Sequence, residues 1–253
     1  MAVATRTAVS SAVKKQELVT EDMSFMESMA GQGLDTITNN EQALGYLSMV
    51  QPGSQFESDD CPAGSWRNSA TGKCYGNTVR VIPLAFRTIW NERASEAPFG
   101  TVGRYAPNSI KVEMKMPPAG KRGYPKMINP DTGNEVQELY VYAVILPDYP
   151  EDGVLYFNPT VSSMRTCKSW NTQLKGQILP NGAQAPIFAY SWNMFVELVT
   201  NPKKTSEEIA KFTKVTKDAI CTKDIFTEQV QPQLAIVQTE VLAITESAEV
   251  EED

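Results

Sequence analysis

Histidine is missing from all 253 residues. Its absence removes Ser–His and Cys–His nucleophile pairs, imidazole general bases and every histidine-ligated metal site. Catalysis is therefore not expected of this chain, and no cofactor is implied. No run of eighteen apolar residues occurs, so a membrane-spanning helix is not expected. The opening stretch MAVATRTAVSSAVKKQELV lacks the continuous apolar core of a secretory signal, and the expected location is the cytoplasm. Cysteine is scarce: Cys61, Cys74, Cys167 and Cys221 include no CxxC pair of the kind a thiolate zinc site needs. Cys61 and Cys74 bracket a Gly-containing segment and could approach each other, but two reduced thiols of a cytoplasmic protein are the expectation. No internal repeat is visible.

What the chain does have is charge laid out in blocks. Residues 1–75 carry 5 Lys/Arg against 9 Asp/Glu, residues 76–217 carry 17 against 12, and residues 218–253 carry 1 against 9. The overall charge of −7 hides this pattern. A basic middle followed by an acidic end suits a surface for a polyanion, with a terminal run that competes for it or recruits a partner.

Residues 1–30 read as an N-terminal arm. In Gly33–Gln55, the three-residue spacing of Leu44, Leu47 and Val50 suggests a short helix or packed turn that ends at Pro52-Gly53. From Gly64 to about Val199 the signals are mostly β. GSWRNSATGKCYG reads as two short strands around Ser69–Gly72. Thr78–Trp90 alternates with apolar residues on both faces, which predicts a central strand, and Pro83 marks a bulge or an edge nearby. Ser109–Met116 alternates cleanly, with Lys111, Glu113 and Lys115 on one face and Ile110, Val112, Met114 and Met116 on the other. Leu139–Leu146 is the most strand-like run, and Val154–Phe157 is another strand.

Asn158-Pro159 resembles a helix start, and Val161, Met164, Cys167, Trp170 and Leu174 form an apolar stripe over 159–174. Ala185–Val199 is the last long strand. Ser206–Ile220 reads as an amphipathic helix capped by Ser206, with Ile209, Phe212, Val215 and Ala219 inward. A weaker amphipathic segment follows Pro232. The fold class expected is mainly β with flanking helices: an OB-like five-stranded Greek-key barrel, a helix between strands, a C-terminal helix and an acidic tail, with a β-sandwich or another small barrel fitting the element order nearly as well. The domains expected are the arm at 1–30, a nucleic-acid-binding domain at 31–222, and an amphipathic and acidic segment at 223–253.

Single-stranded nucleic acid needs cations along a track for its phosphates and exposed rings on which bases stack. The middle block supplies Arg80, Arg87, Trp90 and Arg93 on one strand, then Arg104 with Tyr105, and Lys111 with Lys115. The loop with Lys121, Arg122, Tyr124 and Lys126 combines adjacent cations, glycine and a ring, and is the best single candidate. Arg165 and Lys168 lie on the helix away from its apolar stripe. Taken one by one, Trp90, Tyr140 and Tyr142 read as core residues. Glu249, Glu251, Glu252 and Asp253 are the candidates for a partner-binding or autoinhibitory tail.

Three segments carry a resemblance, in order: GLDTITNNEQALGYLSMVQPGSQ, AGSWRNSATGKCYGNTVRVIPLAFRTIW and TVSSMRTCKSWNTQL. They are similar to a group of bacteriophage proteins with an N-x-x-TG-x-x-Y hairpin, a V-x-VIP-x-A(F/Y) strand and a helix ending in WN. The hairpin match covers Asn68, Thr71, Gly72 and Tyr75. The strand match covers Val79, Val81, Ile82, Pro83, Ala85 and Phe86, and the helix match covers Arg165, Lys168, Trp170 and Asn171. Members of that group given a role look like phage single-stranded DNA-binding proteins of the OB type.

The resemblance implies non-sequence-specific binding of single-stranded DNA in phage replication or recombination, in the cytoplasm of the infected bacterial host. It also implies replication or recombination proteins as partners of the tail, and it leaves room for a homo-oligomer. Acidic tails of such proteins often finish in an aromatic or apolar residue, whereas this chain finishes Glu251-Glu252-Asp253. Two other readings stand beside it. One is a virion structural or assembly protein. The other is a metal-dependent nuclease using Asp131, Glu135 and Glu138, acids in or beside a turn where plain solvation is the ordinary case.

Overall fold

A computed structural model describes residues 45–94, 100–117, 125–201, 204–235 and 237. The strands, in chain order, are β1 (Leu47–Met49), β2 (Trp66–Asn68), β3 (Cys74–Gly76), β4 (Thr78–Arg93), β5 (Thr101–Tyr105) and β6 (Glu113–Lys115). They continue with β7 (Lys126–Ile128), β8 (Glu135–Ile145), β9 (Val154–Phe157), β10 (Tyr190–Asn201) and β11 (Lys204–Ile220). The long helix α1 (Met164–Lys175) lies between β9 and β10. The protein is mainly β with few helices.

Apolar residues on both faces of β4 make it the centre of the large sheet. It pairs antiparallel with β10 through its first residues and with β8 through most of the rest. The order is β11-β10-β4-β8-β7-β6, with β5 also on β4 and β9 also on β8. Among the described residues β11 and β6 do not pair with each other, so the sheet is open and these strands close no barrel. The register between β4 and β8 shifts between Pro83 and Ala85. Proline cannot donate to the ladder, and the extra residue Leu84 absorbs the irregularity. The bulge also exchanges the faces. Val79 and Val81 lie in the main core, and beyond the bulge it is Phe86 that packs there, while Ile82, Leu84 and Ala85 serve a second cluster.

The main core lies between the large sheet and a layer made of the small sheet β1-β2-β3 and α1. Leu47, Trp66 and Tyr75 enter from the small sheet, Cys167 and Trp170 from the helix. Tyr142 is sealed at 0% exposure. It stacks on Trp170 at 4.7 Å between ring centroids, and its hydroxyl donates to Asn171 Oδ1 at 2.8 Å. The Trp-Asn pair at the end of the matched helix motif thus locks the helix onto the central strand. The matched hairpin has a similarly local cause: Asn68 Oδ1 accepts from the Ala70 amide, and Gly72 takes φ +78°, a conformation that suits glycine.

Cys61 and Cys74 correct the expectation of reduced thiols, because a disulfide joins them. It ties the 51–65 segment to the hairpin. Cys167 is a buried free thiol, pushed up to about 12 by burial, and so is a packing residue.

Three expected elements take another form. Leu47–Met49 is a strand and not a helical turn: its backbone pairs with Trp66–Asn68, while Leu47 and Val50 are both buried. Strand β6 keeps only Glu113–Lys115, and Met114 and Met116 are 60% and 68% exposed, so the alternation there does not mark a buried face. The segment expected as the helix Ser206–Ile220 is β11, paired with β10 along nearly its whole length. Its buried residues are Ala210, Phe212 and Val215. A register shift leaves Thr213 as an extra residue, since Phe195 faces Lys214 and Val196 faces Phe212. The bulge turns a two-residue period into a three-residue step, and that step imitates helical spacing.

A helical segment runs from Lys223–Ile225 through the wide turn Phe226–Val230 to residue 235. Val230 and Val237 complete the second cluster against Ile82, Leu84, Ala143 and Ile145. The arm at 1–30 and the tail residues Glu249, Glu251, Glu252 and Asp253 lie outside the described residues. No helix among the described residues is long and apolar enough to cross a membrane.

Candidate nucleic-acid interface

Residues directly opposite in an antiparallel pair project to the same face, so the register sorts the candidate cations. Arg93 lies opposite Glu135, and Asn91 lies between Arg104 and Gln137. Ile128 is opposite Glu135, and Lys115 is opposite Lys126. Arg93, Arg104, Lys115 and Lys126 therefore share one face of the large sheet, spread from β5 across the end of β4 to β7 and β6, and all four side chains are exposed. Lys111 is exposed just before β6. The adjacency of Lys115 and Lys126 on neighbouring strands costs stability as a like-charge pair. An ion pair between Lys126 and Glu135 offsets part of it. That pair, with the Arg93 charge as a smaller contribution, holds the Glu135 carboxyl below its ordinary range.

Arg87 belongs to the same face, opposite Val141. Arg80 is on that face too, before the bulge, but it is engaged: it pairs with Asp148 and lies 3.7 Å from Asp218. Arg165 and Lys168 are exposed on α1, which covers the opposite face of the sheet near β11. They do not join the first group. Lys121, Arg122 and Tyr124, the loop rated highest from the sequence, lie outside the described residues.

The rings do not accompany the cations. Trp90 and Tyr105 are opposite each other on the reverse face, and Trp90 is 8% exposed. Trp90 is a core residue and offers no stacking surface. Tyr105 is turned toward Glu92, to which it gives a hydrogen bond.

Glu92 itself escaped sequence reading. Its carboxylate is 0% exposed and also accepts from Asn129 Nδ2 at 3.0 Å, Asn134 Nδ2 at 2.8 Å and the Thr132 hydroxyl. Burial works to raise its pKa, but these hydrogen bonds together outweigh it and hold the group below its ordinary value. The turn 129–134, legible as a turn, is therefore wrapped around an anion supplied by β4. Among the described residues no group of three or more His, Cys, Asp or Glu is placed to hold a metal ion. Of the acids considered for one, Glu135 is bonded to Lys126.

Two lysines were also missed, because they were assigned to a helix. An open groove of about 370 Å³ between α1 and β11 is lined by Arg165, Ser169 and Gln173 on one side and Lys211, Thr213 and Lys214 on the other. No curated protein and no solved structure matches the chain. A family model does, over residues 13–241, and on that match the chain belongs to the Pam3 phage gp34-like proteins and is a phage protein.

Proposed function

We propose that this phage protein binds single-stranded DNA without sequence preference during phage DNA replication or recombination, in the host cytoplasm and without catalysis. The observation that supports it is the register-defined grouping of Arg93, Arg104, Lys115 and Lys126 on one exposed sheet face. With Trp90 in the core and Tyr105 on the other face, binding is chiefly a matter of phosphate neutralisation. The acidic run ending Glu249, Glu251, Glu252 and Asp253 competes for the same cations and is the candidate contact for replication or recombination partners. The OB-like part of this reading rests on chain order alone, with α1 following β9 and preceding β10.

Fluorescence titration with oligo-dT at several salt concentrations tests it. Affinity falls with salt, and Arg93→Gln/Arg104→Gln lowers the log–log slope by about 1.4, at ~0.7 per phosphate contact on a single strand. Absence of binding at low salt, or binding indifferent to salt, rejects the proposal.

A second reading, a virion structural or assembly protein, is favoured by the Cys61–Cys74 disulfide. Such bonds persist on virion surfaces and are rare in a reducing cytosol. Mass spectrometry of purified particles separates the two: stoichiometric presence in virions selects assembly.

A further inference from the structure

We propose that the groove between α1 and β11 is a phosphate-binding site, separate from the cations spread over β4 to β7. β11 pairs with β10, which meets β4 at Thr78–Val81, whereas β5 meets β4 at its other end, Trp90–Arg93, so the two sites are distinct. The site is built by the bulge at Thr213. In an unbroken strand Lys211 and Lys214, three residues apart, point to opposite faces. The register places Lys211 opposite Glu197 and Lys214 opposite Phe195, with Phe212 opposite Val196 on the core face. The extra residue thus returns both lysines to one face, the one away from Phe212, and from the edge strand β11 they line the groove.

The Thr166 hydroxyl donates to the Thr213 carbonyl at 3.3 Å and holds α1 against the bulge, which brings Arg165 to the other wall. No carboxylate lines the groove. Among the described residues Arg165, Lys211 and Lys214 make no ion pair, and Glu197 is not within ion-pair distance of Lys211. Lys214 lies over the Phe195 ring at 5.5 Å, a contact that leaves its ammonium able to bind an anion. The Thr213 hydroxyl oxygen, in the groove wall, is buried and has no hydrogen-bond partner in the protein.

Three cations from two walls, none in an ion pair among the described residues, with hydroxyl and amide donors between them, match a ligand carrying more than one negative charge on several oxygens. A phosphoryl group has that chemistry. Its volume lies within the ~300–1,000 Å³ of small-ligand sites. The phosphate belongs either to a nucleic-acid strand or to a free phosphorylated small molecule.

Isothermal titration calorimetry of the full chain at low salt, with sodium pyrophosphate and with the dinucleotide pTpT, tests the site. Binding is expected, weakened roughly tenfold or more by Lys211→Gln/Lys214→Gln, as loss of charge-assisted hydrogen bonds requires. The exposed change Arg165→Gln gives a second variant, with near-ultraviolet circular dichroism reporting an intact core. Tighter pTpT binding names a strand as the source of the phosphate, and tighter pyrophosphate binding names a free phosphate ligand. No heat with either probe, or affinities that the groove variants leave unaltered, overturns the site. Because pyrophosphate is read independently of oligo-dT, the groove stands or falls apart from the DNA-binding proposal.

Discussion

Glu92 has no contact with water and yet is held in its charged form, because four donors from Tyr105 and the 129–134 turn converge on it. Replacing it with alanine leaves those donors without an acceptor, at about 1–3 kcal/mol for each buried group left unpaired. A linkage follows from its lowered pKa. A carboxyl whose folded value is depressed stabilises the protein above its unfolded value, near 4.5, and that contribution disappears as pH falls through the lower folded value. Urea melts of the native chain and Glu92→Ala between pH 3 and 7 are therefore expected to differ by a constant amount at neutral pH. The difference narrows below about pH 4.5. A gap that widens in acid contradicts the assignment. The sequence showed the turn NPDTGN but not its target, because the acid that organises it comes from β4, 37 residues earlier at Asn129.

At the level of elements, local pattern was readable wherever it was uninterrupted. The hairpin of β2 and β3, the central strands β4 and β8, the short β9 and the stripe of α1 all follow from alternation or helical spacing in place. The irregularity at Pro83 was readable too, since proline announces it. The bulge at Thr213 was not, because no residue type demands it and its effect on spacing is the one a helix produces. Nor did the sequence reveal how the outer side of β11 is satisfied. Gln51 takes the place of a neighbouring strand there: its amide nitrogen donates to the Ala210 carbonyl, and its oxygen accepts from the Ala210 amide, both at 3.0 Å. This gives Gln51 a structural role and protects an edge that would otherwise invite pairing. Gln51→Ala is expected to cost about 1–3 kcal/mol in chemical denaturation. The Ala210 amide is then expected to exchange faster with deuterium while core amides of β8 keep their protection. Uniform loss of protection, or none at Ala210, contradicts the role.

Over the described residues, the charge blocks in the sequence become two separate basic groups, while Trp90 and Tyr142 went into the core and Tyr105 to the reverse face. Polarity could be counted from the chain, but which face a residue takes depends on two bulges, and only one had a visible signal. The same geometry changes where the acidic end can be removed. A chain ending at Ile225 lacks Val230 and Val237, whose exposures are 0% and 2%. Losing two buried valines removes about 3 kcal/mol or more of apolar stabilisation. A chain ending at Thr245 keeps both and discards most of the terminal acids. Thermal melts are expected to fall for the first and hold for the second. Oligo-dT titration is expected to tighten for the second, and an unchanged or weaker affinity counts against competition by the acidic run.

The anchoring of Val237 has a quantitative side. It sits in the cluster on the same sheet face as Arg93 and Arg104, and sixteen residues follow it. At full stretch they reach about 50 Å. Six carboxylates on so short a tether act at an effective concentration near the millimolar range. If that run competes as proposed, a free strand must outcompete a ligand the protein carries with it, one that dilution does not remove.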